Sequence, residues 1–246
     1  MTKSEILADI RQKILSEHYP QGHSLVERDL CDIYNVSRTP IREVLWSLVV
    51  DGIVEKQPSK GFLVRKLDWS TILEIFEARE PIEGMAARIA ALRLKEPHTH
   101  TLRELRDELL ELDIETHSQE GARIGRRMHK VIIDAAANHL LSDIYTKLSY
   151  LSAMTTNMAK RNVTIERESK KYHIAIMESI IAGDAENSEI YMREHLRITC
   201  RNLIGALYPQ ILTSFGNEHG RPDAARNREI GVVYGVRSKT GLIIHE

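Results

Sequence analysis

The chain has 246 residues, enough for one or two domains at roughly 150 residues each. Its 42% hydrophobic and 28% charged residues are ordinary for a globular protein and exclude a disordered or collagen-like chain. Apolar runs are too short for a membrane helix, and the charged, amphipathic start does not resemble a signal peptide. We therefore expect a cytoplasmic protein with no membrane partner. Two cysteines, Cys31 and Cys200, are too few for a disulfide framework or a thiolate zinc site.

The net charge of −1 argues at first against a nucleic-acid binder, because such domains usually carry a basic face. The charge is unevenly distributed, however. Residues 37–66 contain six basic and three acidic side chains, whereas residues 67–207 contain 19 basic and 22 acidic ones. The segment 37–66 is the clearly basic stretch of the chain and requires an explanation.

Residues 1–66 predict a winged helix-turn-helix domain. Apolar spacing predicts helices over 4–17, 26–34 and 38–50, with a tight turn before the third. Ser37 is expected to cap that third helix by accepting from its free first-turn amides. Two short β-rich runs, 53–56 and 62–65, flank a Pro/Gly turn and predict a hairpin.

Residues 67–207 predict an all-α bundle with its own core. Helices are expected at 69–79, 81–94, 99–117, 121–137, 139–160, 164–182 and 185–207, with Pro81 interrupting or kinking the first pair. Residues 208–246 hold five of the 13 glycines and are expected to be a Gly-rich tail, either loosely held or folded as a separate hairpin. The predicted fold class is therefore mostly α, with an N-terminal winged helix-turn-helix and a C-terminal helical bundle.

Several segments carry a family resemblance. VSRTPIREVLWSL (36–48) followed by DGIVEKQPSKGFLV (51–64) closely resembles the DNA-binding domain of GntR-type bacterial transcription regulators. IFEAREPIEGMAARIAA (75–91) and YHIAIMESIIAGDAENSEIYMREHL (172–196) are similar to FCD, the effector domain of the FadR subgroup. The resemblance covers about residues 4–207. It implies a homodimer that binds a palindromic double-stranded DNA operator and dimerises through the bundle. Val26 departs from the small hydroxyl residue common at its position, so the second helix is expected to lack its cap.

The basic stretch and the resemblance together supply candidate DNA contacts. The start of the third helix faces base edges when such a helix enters the major groove, and arginine can donate two hydrogen bonds to guanine. At the hairpin tip a bare glycine backbone can approach a phosphate or the minor groove. The resemblance adds an arginine on the second helix. The candidates are Arg28, Arg38, Thr39, Arg42, Lys60 and Gly61. The alternative is a solvated face on which Arg38 and Arg42 pair with Glu43.

His129, His173 and His195 lie on the inward stripes of three different predicted helices. A single inward histidine is more often a core residue, but three from separate helices favour a metal, and imidazole suits zinc or nickel. FCD domains commonly hold a metal with three histidines and an acidic or amide residue four positions before the first. That position is Gly125 here. Either water or the effector fills the fourth place, or the metal is lost.

Two further residues are candidates for effector binding by resemblance. Arg79 stands where FCD domains commonly place an effector-binding arginine, and a guanidinium binds carboxylates through a two-pronged contact. The alternative is an ion pair with Glu80 or Glu83. Asn138 resembles the asparagine that ends the same helix in the family, and it is either a C-terminal cap or an effector contact.

These features predict a sequence-specific DNA-binding regulator whose operator affinity is controlled by a small carboxylate in the bundle, and not an enzyme. One alternative is an architectural DNA binder without an effector. Another is a metal hydrolase, since three histidines with an open fourth position resemble a catalytic zinc site. Against the hydrolase, the sequence has no HExxH motif and no general base at a fixed spacing.

Overall fold

The computed structural model describes residues 1–158 and 162–210. The predicted tail beyond residue 210, and residues 159–160 of the predicted helix 139–160, lie outside the described residues. Among the described helices, none combines the length and apolarity that crossing a bilayer requires.

The N-terminal unit is a winged helix-turn-helix, as predicted. Its elements are α1 (Lys3–Leu15), β1 (Ser24–Leu25), α2 (Glu27–Tyr34), α3 (Arg38–Val50), β2 (Val54–Gln57) and β3 (Gly61–Val64). The strand β1 was not predicted, and it pairs antiparallel with β3 through Ser24 opposite Leu63. The sheet order is β1-β3-β2, so the hairpin is widened by a third strand on its β3 side.

The core of this unit joins α1 to α3. Ile6, Ile10 and Ile14 form one buried stripe of α1, which packs against α3. At the C-terminal end of α3, Arg11 Nη2 lies 2.6 Å from Asp51 Oδ2. Both packing and an ion pair thus hold α1 against α3.

The two predictions about helix caps have different outcomes. Val26 occupies the N-cap of α2 and makes no side-chain cap hydrogen bond, as expected. Ser37 occupies the N-cap of α3, but the expected cap is wrong because its side chain makes no such bond either. The exposed Ser37 hydroxyl leaves the first-turn amides of α3 open to solvent or to an anion.

The C-terminal unit is the predicted all-α bundle. Its helices are α4 (Trp69–Arg93), α5 (His98–Glu111), α6 (Ser118–Ala135), α7 (His139–Met158), α8 (Val163–Ile181) and α9 (Ala185–Leu207). The long helix α4 packs against α6, α7, α8 and α9 and thus lies at the centre of the bundle.

Pro81 does not divide α4, so the prediction of two helices, 69–79 and 81–94, is wrong. A proline removes one helical hydrogen bond and crowds the preceding turn. Here eleven residues of α4 on both sides of Pro81 are buried against other helices, and this packing outweighs the local cost. An unbroken α4 places Arg79 and Glu83 one turn apart on the same buried face.

The boundary between α5 and α6 also differs from the predicted 99–117 and 121–137. Asp113 ends the first helix early, because its carboxylate accepts from the Glu115 amide at 3.1 Å and from the Thr116 hydroxyl at 2.8 Å. Gly121, expected to separate the helices, lies buried inside α6. A Cβ at Gly121 would overlap Cδ1 of Ile114, so this glycine serves close packing and not a break.

Candidate functional site

The start of α3 presents a basic surface. Arg38, Thr39 and Arg42 are all exposed. Arg42 Nε lies 3.3 Å from Glu27 Oε1, while Glu43 pairs instead with Lys3 at 2.9 Å. The alternative pairing of Arg42 with Glu43 is therefore wrong. The Arg42 side chain is 63% exposed, and such pairs contribute little, so it is free to exchange Glu27 for another partner.

The turn of the β2–β3 hairpin requires its glycine. Gly61 has φ +78°, a conformation that side-chain-bearing residues rarely adopt, and a Cβ there would meet open space. The Lys60 amide donates to the Gln57 carbonyl at 3.3 Å, and the Lys60 side chain is exposed. Arg28 is exposed on α2. The hairpin tip thus offers a cation beside an uncovered backbone.

An aromatic contact joins α3 to the hairpin, and sequence reasoning missed it. Trp46 is 50% exposed and meets Phe62 edge to face, with ring centroids 5.6 Å apart. Lys56 Nζ lies 4.2 Å from the centroid of the same Phe62 ring. The available signal was the spacing of Trp46 four residues after Arg42, which puts both on the outward face of α3.

The second candidate site is inside the bundle, where α6, α8 and α9 bring three buried histidines together. His129, His173 and His195 each contribute one ring nitrogen, and these three nitrogens lie within 4.8 Å of one another. His173 Nε2 and His195 Nε2 are 3.2 Å apart. Two imidazole nitrogens at 2.0–2.1 Å from a tetrahedral zinc would be separated by about 3.3 Å, so this spacing fits a shared metal.

Gly125 explains how the rings come so close. A Cβ at this position would overlap Cε1 of His173. The His173 ring therefore occupies the space that the Cβ of a larger residue at position 125 would need. A side chain at residue 125 requires His173 to move.

A buried acid was missed as a member of this site. Glu83 Oε1 accepts from Arg79 Nε at 2.6 Å, which shows that Arg79 pairs with Glu83 and not with Glu80. Its other oxygen lies 2.5 Å from His129 Nδ1. Arg79 Nη1 also donates to Ser152 Oγ at 2.8 Å. Arg79, Glu83 and His129 thus form one chain of polar contacts leading to the histidine cluster.

The surroundings fix the charges of this cluster. Burial favours the neutral carboxyl of Glu83, but the charges of Arg79 and His129 outweigh it and lower the Glu83 pKa to about 2. For His173 and His195, burial is the main cause that lowers the pKa well below the usual 6.5, and neighbouring positive charge adds to it. These two rings are therefore neutral near pH 7, which is the form that binds metals. Nδ1 of His195 is buried without a hydrogen-bond partner among the described residues.

A cleft of about 870 Å³ opens beside the three histidines. Its walls include Arg79, Gly125, Ser152 and Glu166, together with residues from the end of α1. Burial raises the Glu166 pKa to about 7, although the charge of Arg126 opposes the shift. A volume in this range suits a small organic molecule.

Asn138 is not among the residues that line this cleft. Its Oδ1 accepts from the Leu141 amide at 3.2 Å, at the start of α7. Helix α6 already ends at Ala135, with Ala136 as its C-cap. The expected C-terminal cap is thus wrong, because Asn138 caps the beginning of the next helix.

The fold and these two sites define a class of protein, a DNA-binding regulator with a separate helical effector domain. Residues 2–64 match the gntR family of bacterial regulatory proteins, and residues 74–198 match the FCD domain. The chain belongs to the GntR family of transcription regulators that carry an FCD domain.

Relatives and solved structures agree with this assignment. The chain is 24% identical over 202 residues to the uncharacterized HTH-type transcriptional regulator YdhC of Bacillus subtilis, which covers 79% of this chain and 87% of the relative. It is 24% identical over 200 residues to a probable D-xylose utilization operon transcriptional repressor of Paenarthrobacter nicotinovorans, covering 80% and 88%. These families and relatives are transcription regulators and not enzymes.

Among solved structures, a GntR regulator from Rhodococcus sp. RHA1 shares the fold with a TM-score of 0.68 and 17% identity. That match covers 83% of this chain and 98% of the other. E. coli McbR/YncC matches with a TM-score of 0.67 and 20% identity, covering 85% and 99%.

Proposed function

We propose that a small organic acid binds in the bundle cleft and changes the affinity of the protein for its DNA operator. The observation that carries this proposal is the convergence of His129, His173, His195 and the buried Arg79 on one cleft. Two hydrogen bonds engage Arg79 Nε and Nη1, which leaves Nη2 to meet a ligand carboxylate. Any effect on DNA requires that the acid bind one state of the protein more tightly than the other.

We further propose that His129, His173 and His195 hold a divalent metal, zinc or nickel, as part of this site. The 3.2 Å spacing between two ring nitrogens and the neutral state of two rings support it. When bound, such a metal supplies a Lewis-acid anchor for a carboxylate oxygen. Glu83 would then orient His129 through Nδ1, as carboxylates do for metal-binding imidazoles. The fourth place, which Gly125 leaves without a ligand, is open to water or to the acid.

On the DNA side we propose that Arg28, Arg38, Thr39, Arg42, Lys60 and Gly61 contact the operator. A single helix in the major groove reads only a few base pairs, so we propose that a homodimer reads a palindromic operator. This arrangement, and a location in the cytoplasm, are typical of the FadR subgroup that the chain resembles. The exposed basic side chains and the uncovered Gly61 backbone support the proposed DNA contacts.

The proposal is tested on the full chain, with an operator first selected from random DNA by the protein itself. Protein purified without a histidine tag is analysed for metal and then titrated with a panel of small carboxylates, with zinc or with EDTA, while DNA binding is followed. We expect about one metal per chain and at least one acid that shifts the DNA affinity. Arg79→Lys keeps the charge beside Glu83 but loses the two-pronged contact, so it should weaken the response.

Arg88→Ala is the matched control, because Arg88 is also on α4 but pairs at the surface with Glu189. A metal content below about 0.2 per chain rejects the metal. An operator affinity that no acid changes rejects the effector and favours an architectural DNA binder.

A further inference from the structure

The bundle cleft extends from the histidines to the DNA-binding unit. On α8 it is lined by His173, Ser169 and Glu166, whose spacings of four and three residues place them on one face. Seven residues of helix span about 10 Å, so Glu166 lies well away from the histidine end. The same cleft is also lined by Ser16 and Glu17, at the end of α1.

Helix α7 connects the two ends of the cleft. Ser152 accepts from Arg79 near the histidines. Five residues later, Asn157 donates through Nδ2 to the Leu15 carbonyl, in the last turn of α1. Arg11 of α1 also lies over the ring of Tyr150, 4.5 Å from its centroid. The end of α1 is therefore fixed against the cleft and forms part of its wall.

The chemistry of this far end differs from that of the histidine end. The last turn of a helix carries partial negative charge, although the Ile14 and Leu15 carbonyls of α1 already accept from the Glu17 amide and from Asn157. The carboxyl groups of Glu17 and Glu166 add acceptors. Two arginines also line this part of the cleft: Arg123 is held by Glu120 and Glu108, whereas the exposed Arg126 is close enough for its charge to act on Glu166. Glu17, Glu166 and the negative end of α1 thus face one arginine that is not paired with a carboxylate among the described residues, so the far end favours a hydrogen-bond donor over a second anion.

We propose that the effector is a bipolar organic acid, with its carboxylate at the histidine end and a hydrogen-bond-donating group, an amine or hydroxyl, at the end of α1. This inference rests on the proposed function and specifies the class of its ligand. It makes Glu17, a residue of the DNA-binding unit, a specificity-determining residue for the effector. Because α1 is fixed to α3 through Arg11 and Asp51, the ligand contacts the element that positions the recognition helix.

The test uses the full chain and probes of matched length. Titration calorimetry compares 6-aminohexanoate and 8-aminooctanoate with hexanoate and octanoate, and with the dicarboxylates adipate and suberate. We expect 6-aminohexanoate and 8-aminooctanoate to bind about ten-fold tighter than hexanoate and octanoate. The two dicarboxylates should bind most weakly. Glu17→Gln should reduce the preference for the amine several-fold. Glu178→Gln, an exposed residue on α8 outside the cleft, should leave it unchanged.

The outcomes separate this inference from the proposed function. If the unsubstituted acids bind in a manner that depends on Arg79, but the amines add no affinity, the bipolar site is wrong and the proposed function stands. An amine preference that survives Glu17→Gln also rejects the role of α1. If none of the six acids binds at about 10 mM, the bipolar site fails. The proposed function itself fails only if the wider carboxylate panel also leaves DNA affinity unchanged.

Discussion

The charges on the exposed face of α3 and those of the buried histidine cluster in the bundle differ in their surroundings. Arg42 on α3 is largely exposed and touches Glu27 only at 3.3 Å. Arg79 is buried, and its Nε lies 2.6 Å from Glu83 Oε1, while the other oxygen of Glu83 contacts His129. Exposed charges interact weakly and can change partner, whereas buried charges depend on one another. The first arrangement suits reversible contact with DNA, and the second suits a fixed ligand site.

The largest expected effect comes from removing the charge of Glu83. Glu83→Gln keeps the side-chain shape but leaves Arg79 buried without its counter-charge. We expect the free energy of unfolding, measured in urea, to fall by about 3–5 kcal/mol. The exposed Glu115→Gln, which breaks a surface pair with Arg167, should cost less than about 1 kcal/mol. Equal losses in both variants would show that the two regions do not differ in this way.

The second effect is a loss of stability at mildly acid pH. The folded protein keeps His173 and His195 neutral, while the unfolded chain takes up protons near pH 6.5. With respect to these two rings, the free energy of unfolding is therefore highest above about pH 6.5. As the pH falls below this value, the free energy of unfolding decreases by up to about 1.4 kcal/mol per pH unit for each ring. Glu83 adds a further loss only as the pH falls from about 4.5 towards about 2.

Urea unfolding in EDTA between about pH 7.5 and pH 5.5 measures this slope. The double variant His173→Gln with His195→Gln should flatten it. His100→Gln, on an exposed histidine paired with Glu104, serves as the control and should keep it. A wild-type slope that persists in the double variant would assign the pH dependence to other groups.

The third effect concerns the exposed face. Arg42→Ala should weaken binding to the selected operator by about 1–3 kcal/mol, roughly 5- to 150-fold, since it removes a candidate guanine contact. Its fold should remain intact, because only a weak surface pair is lost. Fluorescence anisotropy with labelled DNA measures the affinity, with Arg103→Ala on the surface of α5 as the matched control. An unchanged affinity would remove Arg42 from the proposed interface.

The smallest effect is a gain. Val26 occupies the N-cap of α2, makes no cap hydrogen bond and is 45% exposed. Val26→Ser should supply an acceptor for the first-turn amides and raise the free energy of unfolding by about 0.5–1 kcal/mol. Val50→Ser, an exposed valine at the end of α3, offers no such cap. Thermal unfolding of the two variants compares them, and a lower melting temperature for Val26→Ser would show that the valine side chain contributes more by packing.

The fold was largely predictable from periodicity, and the failures have local reasons. The stripe Ile6, Ile10, Ile14 indicates α1 directly. The strand β1 has only two residues, too few for an alternating pattern, and it exists because β3 pairs with it. Pro81 predicts a break from local chemistry alone, but burial on both sides overrides it.

The bundle site was predictable only where its residues repeat with the helix. His129, His173 and His195 each share a face with apolar neighbours, which points them inward. Glu83 lies in the charged run EAREPIE, where spacing does not separate a buried carboxylate from a solvated one. Only the packing of α4 among four other helices buries it. Likewise, Glu17 lines the cleft together with residues that are distant from it in the sequence, so no local sequence pattern predicts its position there.

The Trp46–Phe62 contact also gives the protein an intrinsic optical reporter. The chain contains two tryptophans, Trp46 on α3 and Trp69 at the first turn of α4, so none lies in the bundle interior beside the histidines. The indole of Trp46 is half exposed between the recognition helix and the hairpin, where its emission responds to solvent. In a Trp69→Phe variant, ultraviolet fluorescence would therefore report on the surroundings of α3 and the hairpin without a dye, and a change on filling the cleft would be a signal carried between the two units.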